Sequence, residues 1–282
     1  MWIYSGLLTN KVLTSLTSPW QNYKNMKRFF LYLLLFLFIA GLAALAFGFY
    51  NAKNVRVWAK AAAEIKAQHD VLAKEKNVES RFDASGGKKM DELAAELAGF
   101  STELDSIIKE TQEARKEIDN LGGSAATKSV RTQIDEYYQQ SGDQAKNVAS
   151  IVKFMRGLFE VAVIFDRIKA DTTLEEIQKM IGEAKEKSAQ IDAGALPEAV
   201  KDSGISLKSA TDAFLAAMEQ SATGSVDGNE ALNASYANFS QKENEFFSAA
   251  KKYISLFQNL DSSQNKIDND LLILEKVRFS LK

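Results

Sequence analysis

Four polar residues interrupt otherwise apolar helical stripes, and these are the positions where the chain could do chemistry. They are His69, the sole histidine, with Thr111, Ser141 and Glu243. An imidazole on such a stripe can titrate near neutral pH or ligate a metal. Metal binding inside a helical bundle needs carboxylate partners, classically at Glu-x-x-His spacing, and His69 has no such neighbour. The simpler expectation is a polar core layer that fixes the register of packed helices at some cost in stability. Tyr137 beside Tyr138, and Phe247 beside Phe246, raise a related question. Tyr137 and Phe247 stand off the main stripes, so they either widen a buried face or meet a ligand or partner. The set Tyr236, Phe239, Phe246, Phe247, Tyr253 and Phe257 could line an apolar pocket, although at helical spacing it reads as core.

Other candidate chemistry fails on inspection. Gly122-Gly123-Ser124-Ala125-Ala126-Thr127-Lys128-Ser129 approaches the GxxxxGKS pattern of a phosphate loop. Thr127 occupies the place of the required glycine, and the segment lies between two helical patterns where a phosphate loop follows a strand. Asn233-Ala234-Ser235 and Asn238-Phe239-Ser240 match the glycosylation pattern but fall inside a helical pattern, with Phe239 on its apolar side. Aspartates and glutamates are plentiful, yet no pair is placed for general acid–base work. Cysteine is absent, which removes disulfides, thiolate nucleophiles and Cys-based zinc sites. No catalytic residue, metal ligand or cofactor is therefore expected.

The elements that carry these residues are helices. The clearest stripe is Leu93, Leu97, Phe100, Leu104, Ile107, Thr111, Ala114, Ile118 and Leu121, in an unbroken 4-3 rhythm. Such a seam packs on partner helices at a small crossing angle. Before it, Val55, Trp58, Ala62, Ile65, His69 and Leu72 predict a first helix, ended by charges and Ser85-Gly86-Gly87. After it, Gly122-Gly123 predicts a helix end. A third helix from about Thr127 carries Ile134, Tyr138, Ser141, Ala145, Val148, Val152, Met155, Phe159 and Ala162. Thr173 with Glu176 forms a capping box that opens another helix to about Asp192. Pro197 suits a first helical turn. Leu207, Ala210, Phe214 and Ala217 face inward on the next helix, and Thr223-Gly224-Ser225 with Asp227-Gly228 predicts a turn. A helix from Leu232 through Tyr236, Phe239 and Glu243 to Leu260, then an amphipathic tail with Ile267, Leu271, Leu274 and Val277, completes the pattern. Helix, glycine turn and aromatic-bearing helix occur at 88–168 and again at 198–260, which suggests a repeated hairpin.

Ahead of all this lies Phe29 to Tyr50, which contains no charged residue and follows Lys27-Arg28. As a helix it rises ~33 Å, enough for a ~30 Å hydrocarbon core. The expected organisation is a short tail over 1–28, a transmembrane helix or signal anchor over 29–50, and a helical region over 51–282. Met26-Lys27-Arg28 before an apolar run also looks like the start of a secretory signal, with Met26 as the true start and Ala44-Leu45-Ala46 as a cleavage site. Cleavage there would release a secreted helical bundle. The long apolar run through Tyr50 favours a retained anchor. Lys24, Lys27 and Arg28 before the span nearly balance Lys53, Arg56 and Lys60 after it. The signal-like start favours a cytoplasmic N-terminus and an extracytoplasmic C-terminal region. Ala40, Gly41, Ala44 and Gly48 put small residues on one face of the span, a possible dimer contact.

The first 50 residues hold four of the 35 bases and none of the 37 acids. The remainder thus has 31 bases against 37 acids, a net charge of −6 that argues against a nucleic-acid surface. With two prolines in all, at 19 and 197, nothing forbids long helices over 51–196.

The fold class expected is all-α: one N-terminal transmembrane helix, then an elongated antiparallel helical bundle with heptad-like seams, or two stacked bundles. The expected role is a non-enzymatic interaction, scaffold or spacer module, with the lipid bilayer and a protein partner or a second copy as its contacts. The architecture over roughly 29–262 also resembles the extracytoplasmic sensor bundles of chemoreceptors. That resemblance implies ligand sensing. Receptors of that class add a second membrane helix and a cytoplasmic signalling region, which these 282 residues lack. A sensor built this way would work through a separate membrane partner.

Overall fold

The computed structural model describes residues 19–84, 90–169, 171–222 and 226–278, and every regular element among them is helical. In chain order these are α1 (Pro19–Gln68), α2 (Val71–Ala84), α3 (Met90–Asn120), α4 (Lys128–Phe165), α5 (Leu174–Ala189), α6 (Glu198–Ser221), α7 (Val226–Ile254) and α8 (Asn259–Glu275). Short 3-10 turns cover Ala193–Ala195 and Ser255–Gln258. The chain divides into two units. One, Val57–Lys276, holds the core; the described part of the other is 19–56 and 277–278.

In the second of these, α1 begins ten residues before the apolar run, so Met26 and the Ala44–Ala46 segment lie inside one helix. Residues 1–18 fall outside the described residues. α1 is the one helix among the described residues long and apolar enough to cross a membrane. Within the apolar run its large side chains stand clear of any core: Leu34, Phe36, Phe38, Phe47, Phe49 and Tyr50 are each more than 60 % exposed. A soluble helix normally buries one such stripe.

Within Val57–Lys276, local chemistry sets the helix ends. Gly122 takes a positive φ of 64°, the left-handed conformation that lets a chain leave a helix without a Cβ clash. Thr173 accepts from the Glu176 N–H, and the Glu176 carboxylate accepts from the Thr173 N–H, closing both halves of the capping box. α5 ends at Ala189, three residues before the expected stop, because Asp192 caps the 3-10 turn that follows. Pro197 is the cap residue of α6 and sits just outside its first turn.

Three expectations need correction. The first stripe does not run on to Leu72, since α1 stops at Gln68 and the stripe resumes in α2 on Val71, Val78 and Phe82. Asp227-Gly228 is not a turn but the start of α7, with Gly228 buried. Tyr236 does not face the core; it is 59 % exposed, its ring 5.8 Å from that of Phe214. The Ser85-Gly86-Gly87 break and the Thr223-Gly224-Ser225 part of the expected turn lie outside the described residues.

Pairs of helices run side by side in opposite directions. α3 and α4 descend from the Gly122 turn through Asp119–Arg131 (2.7 Å) and Arg115–Asp135 (2.7 Å) to Thr111 against Gly142. A Cβ at Gly142 would stand 2.8 Å from the Thr111 hydroxyl, so glycine is what lets these backbones close. α6 and α7 pair similarly, from Ser221–Asn229 (2.7 Å) to Gly204 beside Phe246. α2 lies on α3 through Arg81–Glu96 and Asn77–Glu103. α8 returns past α2 through Lys76–Asp261 (3.0 Å) and past the end of α1 through Lys66–Asp268 (2.7 Å). Trp58 donates its indole N–H to the Gly122 carbonyl (3.0 Å), while Tyr137 reaches Gln264 on α8 (2.9 Å). These contacts bring the start of the unit, the Gly122 turn and the end of α8 to the same end of it.

The core is continuous from Trp58 through Phe100, Ile107, Tyr138 and Val148 to Phe246 and Phe257, all buried. A smaller cluster of Val161, Ile164, Ala184 and Leu215 joins α4, α5 and α6.

Candidate functional site

The densest polar chemistry in the interior lies where α1 gives way to α2. The helix breaks at His69 and Asp70, where the Val71 N–H turns back to the His69 carbonyl (2.9 Å). Tyr138 of α4 donates its hydroxyl to that same carbonyl at 3.4 Å. His69 is buried, and its Nε2 stands 3.5 Å from the Glu117 carboxylate without forming a hydrogen bond. Lys66, one turn earlier, is nearly buried and reaches out to Asp268.

Glu75 occupies the middle of α2 and has no solvent exposure. The Ser141 hydroxyl of α4, equally buried, donates to one of its carboxyl oxygens. The other oxygen has no hydrogen-bond partner. Burial pushes the Glu75 carboxyl up to about 7; the Ser141 hydrogen bond opposes this, and nearby Asp261 and Asp70 add to it. Tyr137 and Tyr138 are raised above the ordinary phenol range, chiefly by burial and then by the surrounding carboxylates. Such a cluster can hold or release one proton; Lys66 is committed to Asp268, and among the described residues no cation pairs with the Glu75 carboxyl.

The expected polar layer is thus distributed unevenly. His69, Thr111 and Ser141 are buried in this region, with Thr111 donating to the Ile108 carbonyl (2.8 Å) of its own helix. Glu243 is elsewhere, half-buried on α7, its carboxyl raised by desolvation. Tyr137 is buried at the α4–α8 contact. Phe247 is 37 % exposed and packs edge-on against Phe246. Ala40, Gly41 and Ala44 are exposed on α1, Gly48 partly so. The loop that approached a phosphate-binding pattern is a helix turn, with the buried Thr127 hydroxyl bonded to both the N–H (2.9 Å) and the carbonyl (3.1 Å) of Ser124.

Glu75 itself escaped the sequence reading. The signal was present: Val71, Glu75, Val78 and Phe82 keep the 4-3-4 rhythm once the stripe is shifted by the break at His69–Asp70. The surrounding run of charges hides it.

A second concave region lies beside α4 and α5. A groove of about 540 Å³ has Phe159, Val163 and Ile164 along its apolar side and Arg167, Glu183 and Glu186 at its rim. An adjoining groove of about 400 Å³ is lined by Lys153, Arg156, Gly157 and Asp192. Glu160, Lys187 and Gln190 border both. The rim charges already pair with one another, Lys187 with Glu160 (3.2 Å), Arg156 with Glu160 (3.4 Å) and Arg167 with Glu183 (3.3 Å). Among the described residues no cluster of three or more metal-ligating side chains occurs.

Comparison with protein-family models, with characterised proteins and with solved structures gives no match.

Proposed function

We propose that this chain is a single-pass membrane protein whose helical region is an antiparallel double bundle acting as a non-enzymatic interaction, scaffold or spacer module. The N-terminus is cytoplasmic and residues from 51 onward are extracytoplasmic. The carrying observation is the exposed apolar surface of α1 between Tyr32 and Tyr50. Leaving six large side chains in water forgoes roughly 1.5–3 kcal/mol each relative to an apolar surrounding, which a bilayer supplies.

The helix pairs described above support two stacked bundles. One takes α1–α2, α3, the first half of α4, and the end of α7 with α8. The other takes the second half of α4, α5, α6 and the first half of α7. Sharing α4 ties the two, and its 38 residues span ~57 Å, which suits a spacer. Interiors filled by large side chains suit a load-bearing or docking role better than catalysis.

Intact mass of the native protein from separated membrane and soluble fractions tests the anchor. A membrane-bound species that begins at or before Met26 is expected. A soluble species beginning near Phe47 would sink the reading in favour of a secreted bundle. Because the chain has no cysteine, a single Asn244→Cys variant tests orientation cleanly. Labelling by an impermeant maleimide from outside the cell is expected.

Ligand sensing is the second reading, favoured by the paired grooves beside α4 and α5. An apolar side beneath a rim of both charges suits a small zwitterion. A rise in melting temperature with a free apolar amino acid, lost in Lys187→Ala, would favour sensing over scaffolding.

A further inference from the structure

We propose that Glu75 is a proton-operated latch: protonated, it lets α2 stay seated against α3, α4 and α8, and losing the proton releases α2 from the break at His69–Asp70 onward. The geometry that carries this is a fully buried carboxyl, on a short helix that begins at a break, with one oxygen unpartnered.

The groups around Glu75 leave it no counter-charge. On its own helix, Lys74 is bound to Glu110 of α3, and Lys76 to Asp261 of α8 at 3.0 Å. Asp70, just before α2, is acidic, and at the end of α1 Lys66 pairs with Asp268 at 2.7 Å while His69 stands 3.5 Å from Glu117. α4 presents Ser141, Tyr137 and Tyr138, which are neutral. α8 presents Asp261, whose second oxygen is itself buried without a hydrogen-bond partner. The 3-10 turn Ser255–Gln258 contributes no titratable group, and at the end of α7 the Tyr253 hydroxyl is taken by Asn147 at 2.8 Å while Lys251 and Lys252 are exposed. Among the described residues no cation lies within salt-bridge reach of Glu75.

A carboxylate buried this way is strongly unfavourable, because it loses hydration and gains one hydrogen bond. A neutral acid is not. Since Glu75 holds its proton up to about pH 7 when buried, against 4.5 for an ordinary glutamate, the seated form of α2 binds the proton more tightly than any form that hydrates it. Seating is therefore strongest below pH 4.5 and weakens as pH rises towards 7; above 7 a constant penalty remains. α2 is the element that yields because it is only 14 residues long and its seat is held by Val71, Val78 and Phe82 with the Arg81–Glu96 and Arg81–Glu103 pairs. α3 and α4 share a far longer seam.

Hydrogen exchange of the full chain in detergent at about pH 6 and about pH 8 tests this, with labelling times scaled for intrinsic exchange. Amides of 71–84 are expected to lose protection by about tenfold or more between the two, while those of α3 keep theirs. Glu75→Gln, which mimics the protonated acid, should abolish the change in α2. Equal α2 protection at both pH values, or an undiminished change in Glu75→Gln, would overturn the latch. Ser141→Ala gives an independent check that does not touch the acid. Removing the hydrogen bond that favours the ionised form should move the midpoint of the α2 transition to higher pH, and an unmoved midpoint would overturn the proposal.

Discussion

The two halves of Val57–Lys276 bury different kinds of interior. In the half built on α1–α2, α3, the start of α4, and α8, large side chains such as Phe100, Tyr138 and Phe257 surround buried Lys66, His69, Glu75, Thr111 and Ser141. Every buried side-chain polar atom without a partner among the described residues belongs to this half. In the half built on the end of α4, α5, α6 and the start of α7, the interior is smaller, and its polar groups are satisfied close at hand. Thr211 donates to the Leu207 carbonyl (2.9 Å) and Ser188 to Asp212 (2.7 Å). Three of its charge pairs, Arg156–Glu160, Lys187–Glu160 and Arg167–Glu183, sit at the groove rims, where water screens them and each contributes little. A thick core can hold costly polar groups in place; a thin one cannot, and keeps its polarity local.

Truncation should read this difference most strongly. Phe100→Ala removes a fully buried ring between α2 and α3, and should cost about 3–5 kcal/mol. Leu215→Ala in the small cluster should cost less, about 2–3 kcal/mol, because a site near open grooves can collapse. Urea denaturation of the full chain in detergent compares them, and an equal or reversed order would break the contrast. Next in size is the response to pH of the polar interior. Raising the Glu75 carboxyl from 4.5 to about 7 amounts to roughly 3 kcal/mol lost as pH climbs through that window. Glu75→Gln should thus be more stable than the native chain above pH 7 and close to it at pH 4. Melting temperatures across that range check the sign.

Much of this fold is legible in the sequence where one physical rule acts alone. The 4-3 rhythm from Leu97 to Ile118 maps onto buried positions because a long seam admits one register. Thr173 with Glu176, and Gly122 at the end of α3, mark ends that short-range bonding fixes. The rest fails where two rules compete. The break at His69–Asp70 shifts the stripe by one register, and no glycine or proline announces it; the Tyr138 hydroxyl and the turn to Val71 hold it from outside the segment. Asp227-Gly228 has turn chemistry but is overruled by the packing of α7 on α6. Glu75 was invisible because a charged residue among charges reads as solvated unless the stripe's register is already known. The buried position of Tyr137 follows from α8, whose approach a single helical pattern cannot foretell.

A close approach separates the halves at smaller cost. Gly142→Ala puts a methyl 2.8 Å from the Thr111 hydroxyl, so α3 and α4 must part or Thr111 must turn. The expected loss is about 1–3 kcal/mol, partly offset by the better helix propensity of alanine. Adding Thr111→Ala should recover part of it, giving a coupling energy that a double-mutant cycle measures. Strict additivity would show that the seam tolerates the extra methyl and that the register is set elsewhere.

The smallest effect should come from the cap that opens α5. Thr173→Ala removes the acceptor for the Glu176 N–H and leaves it to water, at a cost of about 1 kcal/mol. α5 touches the core through Ile181, Ala184 and Ser188, all at or beyond its second turn. The first turn therefore depends on its cap more than on packing. Hydrogen exchange should speed up in the amides of 174–178 while α3 amides stay as slow as before. Loss of protection spreading into α3 would mean that the halves open together, and that the thin core is as much a part of the cooperative unit as the thick one.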